Sequence, residues 1–247
     1  MSINSIPYKK LKTIFFDVGN TLTSMDFGWV RKKLKRCGVL CDVEDLRRAE
    51  AAARPVVSRE LARLRSTEGQ ETFFFYMQNI LRKLVVTSEM GDKEHDEIIR
   101  TLLPILRAQG QSLRLWSYLL PGVMDALDML RKRELRIVAV SNSEGIVEQL
   151  LLNLGLIHYF DKVVDSHIVG FEKPDPRLFH HALEISDSDP ATTLHIGDIY
   201  HIDVLGAWSA GVHALLIDPF GDWEGVDCAR LPDVFSFASR FESLAEK

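Results

Sequence analysis

Residues 14–23 read IFFDVGNTLT. Three apolar residues have the texture of a buried strand, and Gly19-Asn20 then breaks any regular pattern. Asp17 stands at the end of that run, where a carboxylate must be solvated, paired or put to use. The same texture returns later in the chain. RIVAVSN (136–142), KVVDS (162–166), TLHIGD (193–198) and HALLID (213–218) each read as a short apolar strand, joined by helical patterns near 122–133, 144–154, 175–185 and 201–210. Strands alternating with helices predict an α/β fold, a doubly wound parallel sheet covered on both faces. TIFFDV (13–18) supplies its first strand.

Between that strand and the rest, residues 25–115 are helical in character. WVRKKLKRCGVL, VEDLRRAEAAARPVVSRELARLR, TFFFYMQNILRKLV and DKEHDEIIRTLLPILRAQ place apolar residues at spacings of three and four among charged ones. Asp42 and Asp92 read as helix starts, and Gly38, Gly69, Gly91 and Gly110 as breaks. The expected organisation is a core of 1–24 and 116–247 interrupted by a helical insert of 25–115. The aromatic run TFFFYM, at helical spacing, reads as bundle core.

The chain has 247 residues, 46% of them hydrophobic and 26% charged, which is the composition of a globular protein. A net charge of −5 gives no reason to expect nucleic acid or an anionic membrane as partner. The charge is uneven, about +4 over residues 24–115 and about −9 over the remainder. Three cysteines, Cys37, Cys41 and Cys228, do not make a disulfide framework. The first residues lack the apolar stretch and cleavage site of a signal peptide. No window approaches the ~18 apolar residues of a membrane span, and a cytoplasmic setting is the expectation.

Open parallel sheets bind ligands beyond the carboxyl ends of their strands. Those ends carry Asp17, Ser141 with Asn142, Lys173 in the loop after the 162–170 segment, and Asp198. Two carboxylates, a hydroxyl, an amide and a cation point to a phosphate and Mg²⁺ site. Mg²⁺ takes one or two carboxylates plus water and phosphate oxygens, and Asp17 with Asp198 supply them. Lys173 balances charge on a phosphoryl group. Each residue alone has a plainer reading: Asp198 as a helix cap, Ser141 and Asn142 as turn formers, Lys173 and Asp203 as surface charges. His180, His181, His195 and His201 have no ligand spacing and read as structural, with His201 a weak exception because it lies within GDIYHID.

The order of DVGNT (17–21), Ser141 in VAVSNS, Lys173 in GFEKPDPRLF, and GDIYHID with Asp198 and Asp203 resembles the haloacid dehalogenase superfamily, and the helical insert resembles the family's C1-type cap. The resemblance covers the whole chain and implies a Rossmann-like core. It implies that Asp17 is a nucleophile forming an aspartyl-phosphate, that Thr21 orients the first loop, and that Ser141, Asn142 and Lys173 hold the phosphoryl group. Mg²⁺ would be held by Asp17, the carbonyl of Gly19 and Asp198, with Asp203 as an additional or supporting acid. The partner is a small anionic phosphorylated substrate, and the insert closes over the site.

Gly19 departs from the pattern. Phosphatases of the family resemble DxDxT, whose second aspartate transfers protons and typically supplies ~10² to 10⁴-fold in rate. Glycine keeps a carbonyl for the metal and removes the acid. Three readings accommodate this. A phosphatase takes its acid from elsewhere, with His95, Glu68 and Tyr118 as candidates, or needs none. A different bond is broken, in a carbon–halogen or phosphonate substrate, the latter needing an insert lysine such as Lys83 or Lys93. Or the chain is a phospho-ligand binding protein without turnover. The retained GDIYHID segment favours phosphoester hydrolysis, because attack on carbon has no use for a metal.

Overall fold

A computed structural model describes residues 6–61 and 66–245. It divides into two compact units, Met1–Thr23 with Leu119–Lys247, and Ser24–Tyr118. The first unit opens with β1 (Thr13–Phe16) and runs to β2 (Thr23–Ser24). The second holds α1 (Phe27–Arg36), α2 (Val43–Leu61), α3 (Gln70–Lys83), α4 (Asp92–Leu106) and the short α5 (Ser112–Leu115). After β3 (Tyr118–Leu119), which pairs with β2, the first unit resumes. It continues through α6 (Val123–Lys132), β4 (Arg136–Ser141), α7 (Val147–Asn153), β5 (Lys162–Asp165), α8 (Ser166–Val169) and α9 (Pro176–Ile185). It closes with β6 (Thr193–Gly197), α10 (Leu205–Ser209), β7 (His213–Ile217), β8 (Ala229–Leu231) and α11 (Val234–Ala245).

Among the described residues six strands form one sheet in the order β5-β4-β1-β6-β7-β8, and every pair is parallel. The chain fills one side of β1 with β4 and β5, then the other with β6 to β8. The reversal therefore falls beside β1, where such folds open a crevice at the carboxyl ends. Phe15 of β1 packs with Val138, Val140, Phe179, Ala207 and Leu216. Ile14 and Phe16, pointing the opposite way, are equally buried, so both faces are covered, as the continuous apolar run TIFF requires. Each such side chain contributes about 1.5–3 kcal/mol by leaving water.

The expected strands are present but end sooner. β1 stops at Phe16, because the Val18 carbonyl turns inward to accept N–H bonds from Leu22 and Thr23 at 2.9 and 3.0 Å, with Asn20 at φ 52°. The helix expected at 201–210 is divided: a π-helical turn, Tyr200–Val204, precedes α10. The helix expected from 144 begins at Val147, after Gly145 at φ 86°. β8 and α11 answer to no element in the sequence reading. α11 buries Phe237 and Phe241 beside the ring of Tyr8.

In the second unit the helices enclose their own core of Met25, Trp29, Leu34, Leu46, Met77, Ile80, Ile99 and Leu102, among others. Phe73, Tyr76 and Met77 of the aromatic run lie in this core, with Phe74 and Phe75 packed at its edge. Asp26 caps α1, accepting the Trp29 N–H at 2.9 Å. Asp92 is the first residue of α4, and its cap is Gly91, whose N–H donates to Glu94 Oε2 at 2.7 Å. Residues 62–65, the end of the helical pattern that begins at Val43, lie outside the described residues. Buried Glu50 accepts two bonds from Arg54, at 2.8 and 2.7 Å, and one from the Tyr76 hydroxyl. Among the described residues no helix is long and apolar enough to cross a membrane.

Candidate active site

The switch point gathers the sequence-predicted residues. Asp17 follows β1, its N–H still on the ladder to the Ile196 carbonyl at 2.9 Å. Ser141 closes β4 and its hydroxyl donates to Asp17 Oδ1 at 3.0 Å. Lys173 reaches in from the loop before α9, and its ammonium donates to Asp17 Oδ1 at 2.8 Å and to Asp203 Oδ1 at 2.7 Å. That lysine is 1% exposed, which disposes of the surface-charge reading, and Asp203 is buried equally. Carboxylate oxygens of Asp17, Asp198 and Asp203 lie within 4.8 Å of one another.

The backbone is organised to hold these side chains. The Asn142 side chain braces Lys173: Oδ1 accepts the Lys173 N–H at 2.7 Å and Nδ2 donates to the Lys173 carbonyl at 2.9 Å. The amide reaches the backbone thirty-one residues on, which sequence spacing does not show. Asp165, which ends β5, accepts N–H bonds from Gly145, Val147 and His167 at 3.2, 3.2 and 3.0 Å, and so ties down the loop that follows Ser141. Thr21 is buried in the first loop, its hydroxyl without a hydrogen-bond partner among the described residues. Gly19 forms an isolated bridge with Thr23.

His195 lies in the same cluster. Its Nε2 is 2.9 Å from Asp203 Oδ1, a partner that ligand spacing along the chain does not show. The signal was strand alternation: Thr193, His195 and Gly197 of β6 share one face, and Asp203 packs against that face at Gly197. His95, named above as an insert acid, is buried in the second unit with Nε2 2.9 Å from the Thr87 carbonyl. It is a core histidine joining α4 to the segment before it. The Tyr118 ring lies under the Arg47 guanidinium, at 4.3 Å.

Burial dominates the electrostatics. It pushes the Asp17 carboxyl above the usual range, and the Lys173 ammonium only partly offsets it. Burial works against the Lys173 ammonium too, but Asp17 and Asp203 outweigh it and hold that group above the usual lysine range. Asp203 is held well below the usual carboxylate range, Lys173 and His195 overcoming the effect of burial. Desolvation pulls His195 below the usual histidine range, and its bond to Asp203 offsets this only in part.

Three carboxyl groups gather around the Lys173 ammonium in this buried cluster. That donor set of hard oxygens fits a divalent cation such as Mg²⁺. The carboxylates are not equivalent, however. Asp203 Oδ1 receives Lys173 and His195, and Oδ2 receives the Ile199 N–H at 2.9 Å. Asp17 carries both of its side-chain hydrogen bonds on Oδ1, so its other oxygen is better placed than those of Asp203 to meet a metal.

The chain is 42% identical over 98 residues to haloacid dehalogenase-like hydrolase domain-containing protein 3 of Bos taurus, a match covering 40% of this chain and 39% of that one. It is 32% identical over 166 residues to a phosphoglycolate phosphatase of Nitrosospira multiformis, covering 65% and 72%. The magnesium-bound HAD-hydrolase of Bacillus subtilis has the same fold, with a TM-score of 0.61 over 94% of this chain and 98% of that one at 18% identity. The model of the haloacid dehalogenase-like hydrolases matches residues 11–211, from before β1 to beyond α10, and the chain belongs to that family.

Proposed function

We propose that the chain is a Mg²⁺-dependent phosphatase of small anionic phosphomonoesters, with Asp17 as nucleophile. The observation that carries it is the bridge of Lys173 between Asp17 and Asp203, with Ser141 on the same Asp17 oxygen. A buried carboxylate held by two donors is fixed for in-line attack, and the same donors meet the negative charge of an arriving phosphoryl group. Asp17 attacks phosphorus and the alcohol leaves; water then cleaves the aspartyl-phosphate and frees the carboxylate. Lys173 and Ser141 hold the phosphoryl oxygens, Asn142 fixes the lysine backbone, and Thr21 steadies the first loop.

Mg²⁺ would be held by Asp17, Asp198 and the Gly19 carbonyl, with Asp203 in support, and supplies charge neutralisation when bound. The relatives' names agree in class: a phosphoglycolate phosphatase and, over 99 residues at 36% identity, a glyceraldehyde 3-phosphate phosphatase. Both are named for small phosphorylated metabolites. Gly19 supports a second reading, a phospho-ligand binding protein with slow turnover, since the position holds no acid.

Phosphate release from an activated aryl phosphate and from a panel of phosphorylated metabolites tests the proposal. Release is expected with Mg²⁺, and not with a chelator or after Asp17→Asn. A folded protein that hydrolyses none of these substrates at any Mg²⁺ concentration rejects it.

A further inference from the structure

We propose that His195 is a positioning residue: its Nε2–H fixes the Asp203 carboxylate, and Asp203 in turn holds the Lys173 ammonium against Asp17. The inference rests on the phosphatase reading above.

His195 sits mid-strand in β6, paired with Phe15 of β1 and Ala214 of β7. Its ring meets Phe179 of α9 edge-on at 5.0 Å. The position is fully buried in an apolar face of the sheet, where a valine or leucine would pack at no polar cost. A polar ring there is explained by what it touches. An ionised carboxylate only accepts hydrogen bonds, so the nitrogen 2.9 Å from Asp203 Oδ1 carries the proton. Nδ1 has no partner among the described residues, and as an unprotonated acceptor it leaves no N–H stranded.

The carboxylate torsion of aspartate is broad and roughly two-fold. The Ile199 N–H holds Oδ2, and since the two oxygens turn together, a donor on Oδ1 resists the same rotation. Oδ1 is the atom that takes Lys173 at 2.7 Å. A second donor on Oδ1, from a rigid ring wedged in the sheet, removes that freedom. Lys173 is thereby held at a fixed point between two carboxylates, and displacement by ~1 Å at such a point is enough to cost ~10²-fold in rate.

Two substitutions separate the hydrogen bond from the packing. His195→Leu fills the space without a donor, and His195→Gln places an amide N–H near the position of Nε2. With the aryl phosphate at saturating Mg²⁺, His195→Leu is expected to lower kcat by about 10–100-fold and to change KM by less than about threefold. His195→Gln is expected to recover kcat to within about fivefold of wild type. In the substrate-free wild-type protein, ¹⁵N spectra should show the Nε2–H tautomer with an exchange-protected proton. That last arm is independent of turnover: a wild-type protein without phosphatase activity refutes the proposed function, while the tautomer still decides whether His195 donates to Asp203. A folded His195→Leu with wild-type kcat, equal losses in the two variants, or a proton on Nδ1 would each overturn the inference. If His195→Leu does not fold, His195→Gln and the tautomer decide it.

Discussion

A Cβ on Gly197 would lie 2.2 Å from Cγ of Asp203. Glycine at the end of β6 is what lets the aspartate lie flat against the strand and reach Lys173. Gly197→Ala is therefore expected to destabilise the protein by about 1–3 kcal/mol, the range for an inserted methyl group that the backbone must yield to. It should also lower phosphatase activity by about 10²-fold through the displaced lysine. Urea unfolding and initial rates measure the two effects, and an alanine variant with an unchanged midpoint would contradict the close packing.

Asp17 carries a stability cost with a definite sign. Burial raises its carboxyl above the ordinary 3.8, so the folded chain keeps a proton that the unfolded chain has lost. The stabilisation from this group is full below pH 3.8 and is lost as pH rises through the folded value. In chelator at neutral pH, Asp17→Asn is expected to be more stable than wild type, by about 2–4 °C in Tm per kcal/mol recovered. The advantage should vanish below about pH 4. A variant less stable than wild type at pH 7 would mean that the ion pair with Lys173 outweighs burial.

Gly19 is the place to restore an acid. Gly19→Asp is predicted to raise kcat on alkyl phosphates, whose leaving groups need a proton, by about 10²-fold. Aryl phosphates with good leaving groups should gain far less. Rates compared across a series of leaving groups check this, and an equal gain for all of them would point to an effect other than proton transfer.

In the second unit, Glu50 holds buried Arg54 and the Tyr76 hydroxyl. Glu50→Ala removes the carboxylate that faces buried Arg54, and the expected loss is about 3–5 kcal/mol. Replacing both partners, Glu50→Met with Arg54→Leu, should cost much less, because no charge is left behind. Denaturant unfolding of the single and double variants decides it. A double variant as unstable as Glu50→Ala would show that shape rather than charge is at stake.

The alternation of apolar strands and helical patterns, the helical insert, and the residues at the strand ends were legible because each rests on local periodicity or on motif order. Asp17, Ser141, Lys173, Asp198 and Asp203 came from their places along the chain. What local pattern could not reveal was partnership. Asn142 also braces a backbone thirty-one positions away, and His195, which reads as structural, touches Asp203.

By itself the sequence determined five of the six strands of the main sheet, their order of appearance and the chemical types at their carboxyl ends, since hydrophobic period and residue identity are properties of the chain. Tertiary structure alone decided that Asp203 is tied to three protein donors while Asp17 has both its bonds on one oxygen. The reason is physical. A carboxylate's role depends on which donors surround it and on how completely water is excluded, and both arise only when β1, β4 and β6 lie side by side.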